Sequence, residues 1–279
     1  MPHFYEAVSS NFLPAMLTLQ QVINENNAGI ELLKSGRFSQ AVKCFNDAFS
    51  TVTNLLMFDG MPEFIPFVAD PVVNNFASKR KMKSIEYECI RGTCWAHVVD
   101  IIGVSVVLDE DVSPGNIFSL YNRVFMFAAS NIDPIYSTAV THQLKRELSA
   151  CIVYNMAFTC HLAGIVGNVG AEKDHNLSQA NHIYKTLVGI LPSRVSAHQN
   201  ISHSATLLVV SLALLTNIGF IESHNQNRDY ALWYREQLRI LFTDITEYIP
   251  DILPREEYGF FSFNVIFSLS IDMTVACAA

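Results

Sequence analysis

A chain of 279 residues, half of them hydrophobic and 16% charged, can fold around a buried core and is not an extensively disordered protein. Its formal net charge of -8 repels phosphate backbones and argues against nucleic acid as a partner. The six cysteines, Cys44, Cys89, Cys94, Cys151, Cys160 and Cys277, have no paired two-residue spacing, so neither a metal nor a disulfide framework is expected; free thiols in a reducing compartment fit better.

The chain opens on a polar and aromatic stretch, Met1 to Asn11, without the basic flank and apolar core of a secretory leader. Residues 12–57 read as a helical hairpin. Leu19, Val22, Ile23, Ile30 and Leu33 recur at helical spacing. Ser35-Gly36 interrupts them, and a second helix runs from about Phe38 to Leu56. Asp59-Gly60, Pro62, Pro66 and Pro71 punctuate residues 58–84, which read as a loop or insertion. Within it, Lys79-Arg80-Lys81 and Lys83 form a basic cluster, read as a solvated loop or helix end; a nuclear address or an anion-binding patch are the other readings.

Residues 85–130 form a mixed segment. His97 to Leu108 is rich in β-branched residues, and periodicity does not decide between strand and short buried helix. After the turn signal Pro114-Gly115-Asn116, the run from Ile117 to Ala128 predicts a strand. Residues 138–163 and 176–190 predict helices around a glycine-bearing loop at 164–175, the two forming a hairpin over 138–190. A last hairpin covers 197–248. Its stretch from Ala205 to Ile221 is 17 residues long, short of the ~20 apolar residues of a spanning helix, so a helix buried on all sides is expected rather than a membrane span. Residues 256–279 read as a C-terminal strand and tail, with the Phe-rich run from Tyr258 to Ser268 pairing with the earlier strand in a small sheet.

Internal repeats organise the helices. Gly29 stands 12 residues before Ala41; Phe45 follows Ala41 by four and Ala48 by seven. Asn155-Met156-Ala157, then Ala180, Tyr184 and Pro192, form a weaker copy. Asn217-Ile218-Gly219 echoes Asn27-Ala28-Gly29, and Gly219 to Ala231 is again 12, with Glu222 and Arg235 where aromatics are expected. This pattern resembles the tetratricopeptide repeat (TPR), and the layout resembles that of uncharacterised algal TPR-like proteins. The resemblance implies a mostly α fold, a single domain of degenerate helical hairpins in an α-α superhelix, with a small β element packed on them.

No G-x-S-x-G, H-E-x-x-H, kinase or phosphate-loop pattern occurs, and no catalytic activity or cofactor is expected. The glycines Gly164, Gly167 and Gly170 read as a flexible loop, and Asp109-Glu110-Asp111 as a solvated turn. Stacked hairpins make an extended concave face, so a non-catalytic interaction scaffold for a protein or peptide of unknown identity is expected; the free thiols suggest an intracellular, cytoplasmic setting, and the basic cluster Lys79-Arg80-Lys81-Lys83 a nuclear one. The resemblance places the first helix of each hairpin along a partner groove. The groove candidates are Asn26, Ile30, Leu33, Tyr154, Phe158, His161, Thr216, Phe220 and His224, an apolar and aromatic set suited to an apolar peptide or helix. The alternative is an enzyme or small-molecule pocket between helices and sheet, with His97, Asp100, Tyr121 and Arg123 as its polar groups.

Overall fold

The computed structural model describes residues 3–57, 84–90, 99–106, 118–129, 142–166, 171–191, 195 and 204–276. The first pair of helices shows how the sequence builds them. Helix α1 (His3–Lys34) buries Leu19, Val22, Ile23, Asn26, Ile30 and Leu33, residues at steps of one, three and four that share one side of a helix. It ends at Gly36, which takes a φ of 73°, a conformation that only glycine adopts without strain. There the Gly36 and Arg37 N–H groups donate back to the Leu33 and Leu32 carbonyls at 2.9 Å. Helix α2 (Phe38–Met57) returns with Ala41, Phe45, Ala48 and Val52 fully buried. A Cβ on Gly29 would lie 2.6 Å from the Phe45 ring, so the bare glycine is what lets the two helices close.

Three antiparallel strands follow: β1 (Ser84–Ile90), β2 (Val99–Val106) and β3 (Arg123–Ala129), in the order β1-β2-β3. Ile101 pairs with Phe127 and Ser105 with Arg123, and a register shift lies between Ile85 and Tyr87. The helices then resume with α3 (His142–Val166), α4 (Ala171–Val188), α5 (Ala205–His224), α6 (Arg228–Tyr248) and α7 (Arg255–Ala276). Each helix from α1 to α7 packs on the next, and α1, α3 and α5 also touch in a row. Strand β3 lies against α1 and α3. The molecule is thus mostly helical, with a small sheet applied to one side of that row.

Helix α5 is buried on every side from Ala205 to Glu222. Its start is fixed by Ser204, whose hydroxyl oxygen accepts from the Leu207 N–H at 3.2 Å. Among the described residues, two helical stretches, Gln143–Val166 and Ala205–His224, are by length and composition apolar enough to cross a membrane. Here both are packed inside the molecule, 89% and 100% buried, as core helices are.

Several expectations need correction. The C-terminal strand over 258–268 is helical, inside α7. Over residues 255–266 its buried positions are Glu257, Phe261 and Asn264, at steps of four and three, so helical packing outweighs the β preference of the aromatics. The earlier strand therefore pairs with β2 instead, and it begins at Arg123, not at residue 117. The ambiguous segment 85–113 contains strands β1 and β2. The glycine loop at 164–175 is mostly helix: α3 runs to Val166 and α4 starts at Ala171. Gly164 is a packing residue of α3, where a Cβ would meet Leu177 at 2.7 Å. The first helix begins at His3, not at residue 12, and the fifth at Ala205, not at residue 197. The insertion over 58–83, with its basic cluster Lys79-Arg80-Lys81-Lys83, lies outside the described residues, as do His97, Asp109-Glu110-Asp111, Gly167, Gly170 and the Cys277-Ala278-Ala279 ending.

Candidate functional site

An extended chain directs the N–H and C=O of each residue to the same edge, and successive residues to opposite edges. In the segment leading into β3, Asn122 faces β2: its carbonyl accepts from the Val106 N–H at 2.7 Å. Odd-numbered residues consequently turn their backbone groups away from β2, toward the helices. That edge needs partners, because a buried unpaired peptide group is costly.

Asparagines supply them. The Phe125 N–H donates to Asn155 Oδ1 at 2.8 Å, and Asn155 Nδ2 donates to the Phe125 carbonyl at 2.8 Å. Asn26 Nδ2 adds a second donor to that carbonyl at 2.9 Å, while Asn26 Oδ1 accepts from Asn155 at 3.0 Å. Asn27 grips Phe127 in the same two-handed way, at 3.0 Å on its N–H and 2.6 Å on its carbonyl. Asn217 grips Tyr121, at 2.9 Å and 3.2 Å. Asn264 accepts from the Ser119 N–H at 3.0 Å. A carboxamide carries the same donor and acceptor as a peptide group, so this row acts as a missing neighbouring strand.

The geometry explains the spacing. The strand meets α7 at Ser119, α5 at Tyr121, α3 and α1 at Phe125, and α1 at Phe127. Eight residue steps of about 3.3 Å cover roughly 26 Å. The row α1, α3, α5 accounts for two helix-to-helix steps of about 9 Å, roughly 18 Å of that length, and α7, packed on α6, meets the remainder at Ser119.

Side chains complete the grip. The Tyr121 ring stacks on Phe261 at 5.3 Å and meets Phe260 and Tyr154 edge-on. Phe125 meets Tyr154 edge-on at 5.2 Å. The Phe118 ring occupies the space that a Cβ on Gly219 would need. This Gly219 differs from Gly29: one makes room for the strand's approach, the other for a helix of its own pair. Arg123 pairs with Glu256 and, at 2.9 Å, with the fully buried Glu257. Burial pushes the Glu257 carboxyl above the ordinary range, against the pull of Arg123. Burial likewise raises the Tyr121 hydroxyl, with Glu257 adding to the effect.

Of the nine groove candidates, eight are buried. Asn26, Ile30, Leu33, Tyr154, Phe158, His161 and Thr216 have no exposed surface and Phe220 has 4%; His224 alone is exposed, at the end of α5. That face is filled by the chain's own segment 118–129. Asn26 and Tyr154 touch that segment directly, the Tyr154 hydroxyl donating to the Tyr121 carbonyl at 3.3 Å. Phe158 stacks behind Tyr154 at 6.1 Å, and His161 lies between Tyr184 and Phe220. Burial, helped by His224, lowers the His161 imidazole to about 3. Burial pushes the Cys160 thiol up to about 12, which keeps it protonated and unreactive.

The polar set His97, Asp100, Tyr121 and Arg123 is not brought together in what the structure describes. Tyr121 and Arg123 share the Glu257 neighbourhood, but Asp100 pairs with Ala128 at the far end of the sheet. Sequence reasoning missed Asn27, Asn155, Asn217 and Asn264 as contact residues. Their signal was present: three of the four stand two residues before a small residue, Gly29, Ala157 and Gly219.

Glu222, which replaces an aromatic in the third copy, has its own role. Lys185, Asn181 and Asn227 all donate to its carboxylate, at 2.6, 2.8 and 2.7 Å. Burial works to raise the carboxyl, yet these hydrogen bonds hold it below the usual range. It ties α5 to α4 and to the turn before α6.

The chain matches no protein-family model, no curated protein and no solved structure.

Proposed function

We propose that this chain is a protein–protein interaction scaffold of tetratricopeptide-like type, whose helical hairpins stack so that their first helices form one recognition face. Supporting it is the asparagine row: α1, α3, α5 and α7 each present an asparagine side chain to one extended backbone. The repeat positions Asn27, Asn155 and Asn217 recur in that role, as a shared hairpin ancestry would leave them.

The chemistry narrows the class of partner. A helix uses its backbone groups internally, so it offers little to a row of carboxamides. An extended segment offers all of them. The scaffold therefore suits an extended peptide rather than a bound helix, and its own strand holds that face in the described state. The free, buried thiols Cys151 and Cys160 fit an intracellular setting.

A displayed library of peptides as long as the segment Ser119–Phe127, captured on the full-length chain, tests this reading. Capture that is lost on Asn27→Ala or Asn264→Ala, with helicity retained, supports it. Capture indifferent to both substitutions puts binding elsewhere and rejects it.

A further inference from the structure

The asparagine row reads backbone and so accepts many sequences, but the pockets beside it do not. Tyr121 enters a slot walled by Phe260, Phe261 and Tyr154. Two residues on, Arg123 meets Glu256 and Glu257. Two further on, Phe125 packs on Tyr154. Glu257 has no exposed surface, and Arg123 holds its Oε1 at 2.9 Å with the Tyr121 hydroxyl beside the same carboxyl. An occupant without a cation there would leave two adjacent carboxylates, one of them buried, without compensation, which is strongly unfavourable.

We infer that this face selects an extended segment of a partner protein with the pattern aromatic-x-Arg-x-aromatic, and that Tyr121-Asn122-Arg123-Val124-Phe125 occupies it as an internal copy of that ligand. The inference rests on the scaffold reading above and adds the sequence of what is read. Proline is excluded at the first and last of these positions, because both N–H groups donate to asparagine oxygens. The internal copy competes as a tethered ligand, whose effective concentration is of millimolar order. A free segment of the same kind therefore binds the unaltered chain weakly, and substitutions that loosen the internal copy release the site.

Fluorescence anisotropy with a labelled peptide of residues 118–129 tests this. The full-length chain carrying Tyr121→Ala and Arg123→Ala is expected to bind the peptide at least about tenfold more tightly than the unaltered chain does, consistent with loss of a tethered competitor. A peptide carrying Arg123→Glu is expected to bind this variant at least about tenfold more weakly, as expected for a desolvated charge pair. If a folded variant binds both peptides equally, the sequence pattern is overturned while backbone reading stands. If it binds neither, the groove reading falls as well. If the variant loses its helical circular dichroism, amide hydrogen exchange on the unaltered chain decides. Excess peptide should then speed exchange at Tyr121, Phe125 and Phe127, and unchanged exchange overturns the proposal. A variant that forms a dimer by light scattering, with strands exchanged between copies, would assign the site to a second copy and also overturn it.

Discussion

Asn155 meets Phe125 as one peptide unit meets another, its oxygen 2.8 Å from the Phe125 nitrogen and its nitrogen 2.8 Å from the Phe125 oxygen. Both residues are fully buried, so water cannot replace either bond. Replacing Asn155 with Ala is expected to cost about 2–4 kcal/mol, the penalty for orphaning buried polar groups. Asn155→Asp should cost more, because it removes the donor and buries a charge. Urea denaturation measures both; a loss under about 0.5 kcal/mol for Asn155→Ala, the scale of a neutral surface change, would show that the strand is held by other means.

Gly219 offers a test whose sign reverses. In a helix, Gly→Ala ordinarily gains about 1 kcal/mol. Here the added methyl would overlap the buried Phe118 ring, and overpacking of this kind costs about 1–3 kcal/mol. Gly219→Ala should therefore destabilise the chain, yet stabilise it in a Phe118→Ala background. Thermal or urea melts of the four proteins in this cycle check it.

His161 makes stability fall on acidification. Its imidazole titrates near 6.5 when unfolded and at about 3 in the folded chain. The stabilisation is fully present above 6.5 and is lost as pH drops, because only the unfolded state takes up the proton. The slope is about 1.4 kcal/mol per pH unit between those values. Subtracting the stability–pH profile of His161→Gln from that of the unaltered chain should isolate this slope; parallel profiles would refute it.

Glu222 acts in the same direction at lower pH. Its folded carboxyl lies below the ordinary value of 4.5, so its contribution exists above that value and fades as pH falls through the folded one. Glu222→Gln should cost about 1.5–3 kcal/mol at pH 7, the range for hydrogen bonds to a charged group. The cost should shrink toward pH 3 in urea titrations at each pH.

Much of the helical architecture is legible in the residues. Leu19, Val22, Ile23, Ile30 and Leu33 mark α1 by period, and Gly36 marks its end through the one backbone conformation it tolerates best. The apolar run of α5, interrupted by Thr206, Ser211, Thr216 and Asn217, announces a helix with no solvent face. The Phe-rich α7 misleads because aromatic content is a weaker signal than the four-three spacing of Glu257, Phe261 and Asn264.

By itself, then, the sequence determined the helical pairs, the small residues at which they close, and the recurrence of asparagine two residues before such a site. What fills the face of the helices was decided only by the tertiary structure. Asn27, Asn155, Asn217 and Asn264 lie far from Phe127, Phe125, Tyr121 and Ser119 along the chain. Local propensity and periodicity act within a few residues and are silent about such pairings. The requirement that buried peptide groups find partners acts in three dimensions, and it sets a row of carboxamides along residues 119–127.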